Sequence, residues 1–354
     1  MASFVALKVK EIIRETSKAV SLVFAITDEL KDTFQFVAGQ FVTLRATINN
    51  QEVRRAYSIS SSPHESHLQV SIKEIEGGIF STYANRVLKI GDTLEVGIPE
   101  GKFLLSNITD EPKSYLAFVS GSGITPVLSM IKTVLTQSAE SRFVLVFGNR
   151  TEEDTMFLQV LRRLQSSYNS RLFIEWVYSR QISEGNHIGR INTDLVTTIL
   201  DQKYKDFNFD SVYLCGPEEM IYTLRNKSLP KYFKQDQIYF ELFTTTKQDE
   251  QLPLITEQEK SSVEVTYLVD DEEETIEVST EKTLLDAAIE ADIDAPYSCK
   301  GGVCCSCICR VVEGEVNMKD NEMLTEDEKE EGLILSCISY AKTGQVIKLD
   351  FDDA

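Results

Sequence analysis

Over the first hundred residues, apolar and polar positions alternate in short runs such as "KAVSLVFAI", "QFVTLRATI", "HLQVSIKEI" and "DTLEVGI". A period of two predicts half-buried strands, and the Gly, Pro, Asn and Asp between them predict tight turns. Leu7-Lys8-Val9-Lys10 begins the series. This cadence is that of a small antiparallel barrel. After "DEPKS" the runs become continuously apolar: "YLAFVS", "RFVLVFG", "LFIEWVY" and "SVYLCG". They alternate with helical patterns in "TPVLSMIKTVLTQ" and "FLQVLRRLQSSY", which predicts a parallel sheet with helices on both faces. Residues 246–262 are polar and without period, as in a linker. Beyond them come "VEVTYLV", an acidic turn, "ETIEVS", the helix pattern "TLLDAAIEAD", a cysteine-rich segment and the strand pattern "ICRVVEGEV". The expected chain is therefore multidomain. An antiparallel β-barrel spans 1–110, an α/β parallel-sheet domain 111–245, a linker 246–262 and a compact α+β module 263–354.

Length and charge sharpen that division. A chain of 354 residues suits two or three domains. Residues 1–245 carry 27 Lys+Arg against 28 Asp+Glu, whereas residues 246–354 carry 9 against 28. The acidic module is either a solvated surface or a face that docks on a basic partner. No basic face points to nucleic acid. No apolar run approaches the roughly 18 residues a membrane helix needs, and the start lacks the order of a signal peptide. A cytoplasmic protein without a membrane partner is expected. In that reducing setting, clustered cysteines bind metal or do redox chemistry more often than they form disulfides.

Five of the seven cysteines lie in "CKGGVCCSCIC", residues 299–309. Cys299, Cys304 and Cys307 stand as C-x4-C-x2-C, with Cys337 much further on in "LILSCIS". Zinc sites more often show paired C-x2–4-C knuckles, and free thiols are the other plain reading. The spacing resembles the plant-type 2Fe–2S ferredoxin family, together with "APYSCKGGVC". That resemblance implies a β-grasp module with Cys299, Cys304, Cys307 and Cys337 as metal ligands. Gly301-Gly302 would turn backbone amides toward the sulfurs, and Cys305 and Cys309 would be bystanders.

"RRAYSISSSP" lies on the barrel, preceded by "AGQFVTL" and followed by "IKEIEGGIFSTYA". In this order the three segments resemble the ferredoxin–NADP reductase superfamily, with Arg55-Ala56-Tyr57-Ser58 in place of its R-x-Y-[ST] motif. The resemblance implies FAD. Arg55 would pair with its diphosphate and Tyr57 would stack on the isoalloxazine. Ser58 would hydrogen-bond near N5 at the reacting centre. Lys73, Gly78, Ser81 and Thr82 lie in the second phosphate segment, where Gly78 would open the backbone and the helix start would face the diphosphate. Phe243 in "YFELF" is the candidate cover for the other flavin face, although a core aromatic is the commoner role for such a residue.

"VSGSGITPVLSMI" places Gly121 and Gly123 between a strand and a helix. A lone G-x-G is a weak signal, but it permits close approach of a diphosphate to a helix N-terminus. Thr125 is expected to cap that helix and Pro126 suits its first turn. The stretch resembles the reductases' G-x-G-[IV]-[TA]-P, and Cys215-Gly216-Pro217 resembles their C-G-P, whose cysteine approaches the nicotinamide C4. Ser179-Arg180 resembles the pair that binds a 2′-phosphate, with Arg150 and Arg190 as helpers, so NADPH is expected over NADH. His64, His67 and His187 form no metal spacing.

Taken together, the three modules resemble the reductase components of multicomponent oxygenases. That resemblance implies electron flow from NAD(P)H through FAD to the 2Fe–2S cluster and on to an oxygenase or hydroxylase component, docked on the acidic module. A diaphorase-like reductase serving a separate ferredoxin or quinone, and a non-catalytic iron–sulfur or zinc scaffold, are the alternatives.

Overall fold

The structure is a computed structural model; it describes residues 4–105, 111–182, 184–243, 262–319, 321 and 323–353. These form two compact units. One comprises Val5–Val53 and Tyr57–Phe243; the other comprises the C-terminal residues from 262 onward, grouped with Phe4 and Arg54–Ala56.

In the first unit, strands β1 (Phe4–Thr16), β2 (Ala19–Phe24), β3 (Phe41–Ile48), β4 (Gln51–Ser58), β5 (Leu68–Lys73) and β6 (Thr93–Gly97) form one antiparallel sheet. Its order is β4-β3-β6-β1-β2-β5, and helix α1 (Ile79–Arg86) lies between β5 and β6 in the chain. The sheet curls because the chain leaving β4 returns to the opposite edge. Ile59 bridges Val70, and the Ser60 amide donates to the Gln69 carbonyl at 2.8 Å. Val20, Leu22, Phe24, Val42, Leu44, Val70 and Ile72 fill the interior. The expected half-buried character fails at β2, which is buried along its whole length. Its outer face is covered: Ala19 shares a core with Phe103, from the segment after β6, and with Val127 and Met130 of the neighbouring layer. Ser21, forced inside, is satisfied by Glu15 Oε1 at 2.6 Å and Ser71 Oγ at 2.7 Å.

The second layer of this unit is a parallel sheet. Its strands are β7 (Ser114–Ser120), β8 (Arg142–Asn149), β9 (Leu172–Tyr178), β10 (His187–Ile188), β11 (Ser211–Cys215) and β12 (Ile238–Glu241). They run in the order β10-β9-β8-β7-β11-β12. Helices α2 (Ile124–Gln137) and α3 (Leu158–Ser167) match the apolar periodicity closely. The shorter α4 (Thr193–Thr197) and α5 (Glu218–Thr223) flank β11 in the chain. Barrel and parallel sheet are fixed to each other by polar contacts. Ser129 Oγ of α2 donates to Ser61 O at 2.6 Å, and Lys132 Nζ reaches Glu65 Oε2 at 2.9 Å.

The C-terminal unit is a small mixed sheet around one helix. β13 (Ser262–Val269), β14 (Glu272–Ser279), β15 (Ile308–Glu313), β17 (Leu333–Leu335) and β19 (Ile347–Asp350) run in the order β14-β13-β19-β15-β17. β13 and β19 are parallel. Helix α6 (Leu284–Glu290) buries Leu284, Leu285, Ala287 and Ala288 in the core of this unit and is capped by Thr283, which accepts from the Asp286 amide. The expected long strand "ICRVVEGEV" is broken. Gly314 turns the chain at φ +84°, and the short β16 (Val316–Met318) pairs instead with β18 (Ser339–Ala341). A Cβ at Gly314 would lie 2.4 Å from Val346 O, so only glycine permits this turn. The expected linker at 246–262 lies outside the described residues, apart from Ser262, which already belongs to β13.

Candidate functional site

Four cysteines converge where the loop from α6 to β15 meets the segment after β17. Cys299 contacts Cys304 and Cys337, and Cys307 contacts Cys337. Backbone amides aim at the sulfurs: Gly301 N to Cys299 Sγ at 3.3 Å, Val303 N to the same sulfur at 3.5 Å, and Gly302 N to Cys337 Sγ at 3.2 Å. Gly302 adopts φ +71° with its missing Cβ 2.9 Å from Ile338, which is why the amides can turn inward. The thiols titrate as a set. Cys299 loses its proton far below the ordinary thiol range, because Cys304 and Cys337 donate to its sulfur and the two amides add to this. Cys304 and Cys337 hold theirs well above that range, because they donate to Cys299 and because a second thiolate beside the first is repelled. Deprotonating all four in this space would require cationic partners. Among the described residues, no three His, Cys, Asp or Glu side chains are arranged around a single metal ion. The contacts instead link the four sulfurs in one chain, Cys304–Cys299–Cys337–Cys307. Cys305 and Cys309 point elsewhere: Cys305 Sγ lies 4.0 Å from Met323 O, and Cys309 is fully buried in the sheet core. Cys305 also occupies a left-handed backbone position at φ +59°.

In the other unit the sequence-predicted residues collect at the carboxyl end of the parallel sheet, where ligands bind in open α/β folds. Gly121 follows β7 at φ +58°, and a Cβ there would sit 3.9 Å from Lys73 Nζ. Lys73 thus reaches from the end of β5 to the glycine turn. Burial pushes its ammonium pKa down, with Asp154 opposing and Arg150 adding to the shift. Gly123 packs directly on the end of β11, and a Cβ there would lie 2.3 Å from Cys215 O. Gly216, at φ +157°, lets the chain turn past Ser120. Pro217 is exposed and precedes α5. Pro126 sits in the first turn of α2, as expected. Thr125 does not cap that helix. Its hydroxyl donates to Ser122 O at 3.1 Å, because the chain enters α2 through a 3-10 turn with Gly123 at the cap.

Tyr57, on β4, packs at 5.6 Å on Phe80 with its ring half-buried. Arg55 is exposed, its guanidinium donating to Arg54 O at 2.7 Å. The second phosphate segment opens helix α1 as expected, with Gly78 at its cap. The reason for Gly78 differs from the expected one. Its φ is an ordinary −73°, and glycine is needed because a Cβ would meet Ser81 Oγ at 2.5 Å. Ser81 is itself buried, accepting from the Ile75 amide at 3.1 Å, so it shapes the turn and Thr82 is the more exposed of the two.

Sequence reasoning missed Glu241. It lies in the quoted "YFELF" stretch, two residues before Phe243, at the end of β12 opposite Cys215. Glu241 is 7% exposed, and Ser58 Oγ donates to its Oε2 at 3.2 Å across 183 residues of sequence. Burial, countered by that hydrogen bond, raises its pKa from 4.5 to about 8. Cys215 is fully buried, and burial, with Glu241 adding, pushes its thiol well above the ordinary range. Ser58, Cys215 and Glu241 therefore form one cluster of neutral proton-bearing groups. The available signal was a single acid inside an otherwise apolar run, because such a residue is buried only at a cost. Phe243 is 37% exposed, two residues beyond this acid.

Ser179 and Arg180 follow β9. Both are exposed, and Ser179 Oγ donates to Asn149 O at 3.4 Å. Arg180 lines an open cavity of about 540 Å³ with Thr151, Glu152, Glu153, Leu158 and Gln181. Arg150 and Arg190 are exposed. His187 Nε2 is bound to Glu175 at 3.0 Å. No helix among the described residues is long and apolar enough to cross a membrane.

The family-model matches define the class, an oxidoreductase with flavin, nicotinamide and iron–sulfur domains. Three family models match in that order: an oxidoreductase FAD-binding domain at 6–104, an oxidoreductase NAD-binding domain at 119–226, and a 2Fe-2S iron-sulfur cluster binding domain at 268–342. The chain belongs to the family of reductases built from these three domains, the ferredoxin–NADP reductase type with a C-terminal 2Fe–2S domain. It is 34% identical to a component of the 1,2-phenylacetyl-CoA epoxidase of Escherichia coli (strain K12), covering 99% of both chains. It is 32% identical to the 3-ketosteroid-9-alpha-monooxygenase ferredoxin reductase component of Rhodococcus rhodochrous, covering 98% of this chain and 97% of that one. In fold it is similar to phthalate dioxygenase reductase, with TM-score 0.62, 23% identity and 98% of both chains covered.

Proposed function

We propose that this chain is the reductase component of an oxygenase system, taking electrons from NADPH through FAD and a 2Fe–2S cluster to an oxygenase component of the phenylacetyl-CoA epoxidase kind. The observation that carries it is the sulfur set at 299–337 with three amides aimed at its sulfurs, because a flavin reductase without an iron–sulfur step has no use for it. Residues 1–110 would hold the flavin, 111–245 the nicotinamide nucleotide and 262–354 the cluster, with 246–261 as linker.

When bound, the flavin takes electrons in pairs and gives them singly, which is the conversion needed between a nicotinamide and a one-electron cluster. The chain's own residues bind and orient. Arg55, Lys73 and the α1 start provide positive charge and amides for the flavin diphosphate, with Gly78, Ser81 and Thr82 shaping that turn. Tyr57 and Phe243 present aromatic faces. Gly121, Gly123, Thr125 and Pro126 let a second diphosphate approach the α2 N-terminus, and Gly216 and Pro217 shape the opposite wall. Ser58 and Cys215 would lie behind the reacting atoms, Cys215 from a fully buried position at the end of β11, while Glu241 holds a proton on its carboxyl below about pH 8 and accepts from the Ser58 hydroxyl. Cys299, Cys304, Cys307 and Cys337 would hold the cluster, which supplies a one-electron acceptor. Ser179 and Arg180, beside the open cavity, favour NADPH over NADH through the 2′-phosphate.

The acceptor docks on the acidic module. Exposed Glu272, Glu273, Glu274 and Glu277 on β14, and Glu326, Asp327 and Glu330 on α7 (Glu326–Glu330), supply the negative field for a basic partner. The test is a visible spectrum of the purified chain with its cofactors, followed on adding NADPH. Flavin and cluster bands should bleach together, and a basic oxygenase component should reoxidise them at a rate that falls with salt. A colourless protein, or flavin bands that bleach without any cluster signal, refutes the proposal.

A further inference from the structure

Ser298 lies immediately before Cys299 and is 1% exposed. Its hydroxyl has no hydrogen-bond partner in the protein. A buried hydroxyl left this way is costly, and nearly all such groups in folded proteins find an acceptor. Its surroundings narrow the choice. The neighbouring donors in the same loop, the amides of Gly301, Gly302 and Val303, all point at cysteine sulfur. The sulfur set leaves acceptor capacity for a two-iron cluster, whose thiolates and sulfides carry negative charge. By contrast Ser336, the serine before Cys337, is satisfied within the protein, its hydroxyl donating to Cys307 O at 3.0 Å. The two serines that precede these cysteines thus differ: one is spent on the backbone, and the other is buried without a partner, one residue before Cys299.

We infer that the Ser298 hydroxyl donates to a sulfur of the 2Fe–2S cluster and thereby raises its reduction potential; this rests on the proposed cluster assignment to the four cysteines. Reduction adds one electron to the cluster, taking one iron from ferric to ferrous and making the whole one charge more negative. A fixed donor at the sulfur stabilises that added charge, so the reduced form gains more than the oxidised one. Ser298 is a tuning residue, not a ligand.

The test uses the full chain with its cofactors, poised in a mediated redox titration and read by electron paramagnetic resonance of the reduced cluster. At the wild-type midpoint, Ser298→Ala should lower the reduced-to-oxidised ratio roughly tenfold, about 59 mV for a one-electron couple. Ser298→Thr, which keeps the hydroxyl, should stay within about twofold of wild type. A ratio in Ser298→Ala within about twofold of wild type, with the cluster intact, overturns the inference; so does loss of thermal stability without a change in ratio. Should Ser298→Ala assemble no cluster, electron–nuclear double resonance on the wild type decides. A hydroxyl proton coupled to the cluster and exchanging in D2O ahead of the amides supports the donor, and its absence overturns it. A wild-type chain that shows no 2Fe–2S signal at all overturns this inference together with the cluster assignment, whereas a normal signal with an unmoved ratio overturns this one alone.

Discussion

Replacing Glu241 by glutamine isolates the buried acid of the candidate site. A shift of the carboxyl from 4.5 to about 8 corresponds to about 5 kcal/mol disfavouring the ionised form in the folded protein. The sign follows from proton counting. Between pH 4.5 and 8 the folded chain keeps a proton that the unfolded chain has released, so stability falls as pH rises across that window and levels off above it. Glutamine is neutral throughout and still offers a carbonyl to Ser58 Oγ. The variant should therefore match wild type near pH 4.5, gain about 3 kcal/mol near pH 7, and gain most above pH 8. The assay is the unfolding midpoint of the flavin-bound chain in denaturant, monitored by flavin fluorescence, from about pH 5 to about pH 9. In stopped flow, the wild-type rate of flavin reduction by NADPH should show an inflection near pH 8 that Glu241→Gln lacks. An equal stability difference at about pH 5 and about pH 8.5, or an inflection that survives in the variant, would refute the reasoning.

Other outcomes follow from the same geometry. Cys304→Ser should remove the cluster spectrum while leaving NADPH–ferricyanide activity, and Cys305→Ser should keep the cluster; the reverse pattern in visible and paramagnetic spectra would reassign the ligands. Arg180→Ala should raise the KM for NADPH roughly 10- to 150-fold, the worth of one charged contact, with NADH barely changed; steady-state kinetics showing less than a threefold effect would make Arg180 a surface residue. Gly123→Ala places a methyl 2.3 Å from Cys215 O and should cost about 1–3 kcal/mol of stability, together with a rise in KM for the nucleotide; a variant with wild-type melting and kinetics would show that the contact relaxes freely.

The domain order and most elements were legible because they depend on local periodicity. Alternation marked the barrel strands, continuous apolar runs marked β7, β8, β9 and β11, and the 3.6-residue pattern marked α2 and α3 to within a residue. The convergence of cysteines was legible for a related reason: C-x4-C-x2-C confines three sulfurs to one loop, so spacing alone brings them near each other. Where these readings failed, the cause was a contact from elsewhere in the chain. β2 looked half-buried, but the α/β layer covers its outer face. "ICRVVEGEV" looked continuous, but Val346 crowds Gly314 at the turn. Thr125 looked like a cap, but a 3-10 turn had already opened the helix.

By itself, the sequence determined that this chain carries a barrel, a parallel-sheet domain and a module with three spaced cysteines in one loop, because periodicity and cysteine spacing are properties of neighbouring residues. Only the tertiary structure decided what surrounds the reacting groups. Ser58 and Glu241 lie 183 positions apart and meet because the parallel sheet brings the end of β12 beside the end of β4. The protonation of Glu241, the neutrality of Cys215 and the dryness of Ser298 are consequences of burial. Burial is fixed by the packing of distant segments, and no local pattern encodes it.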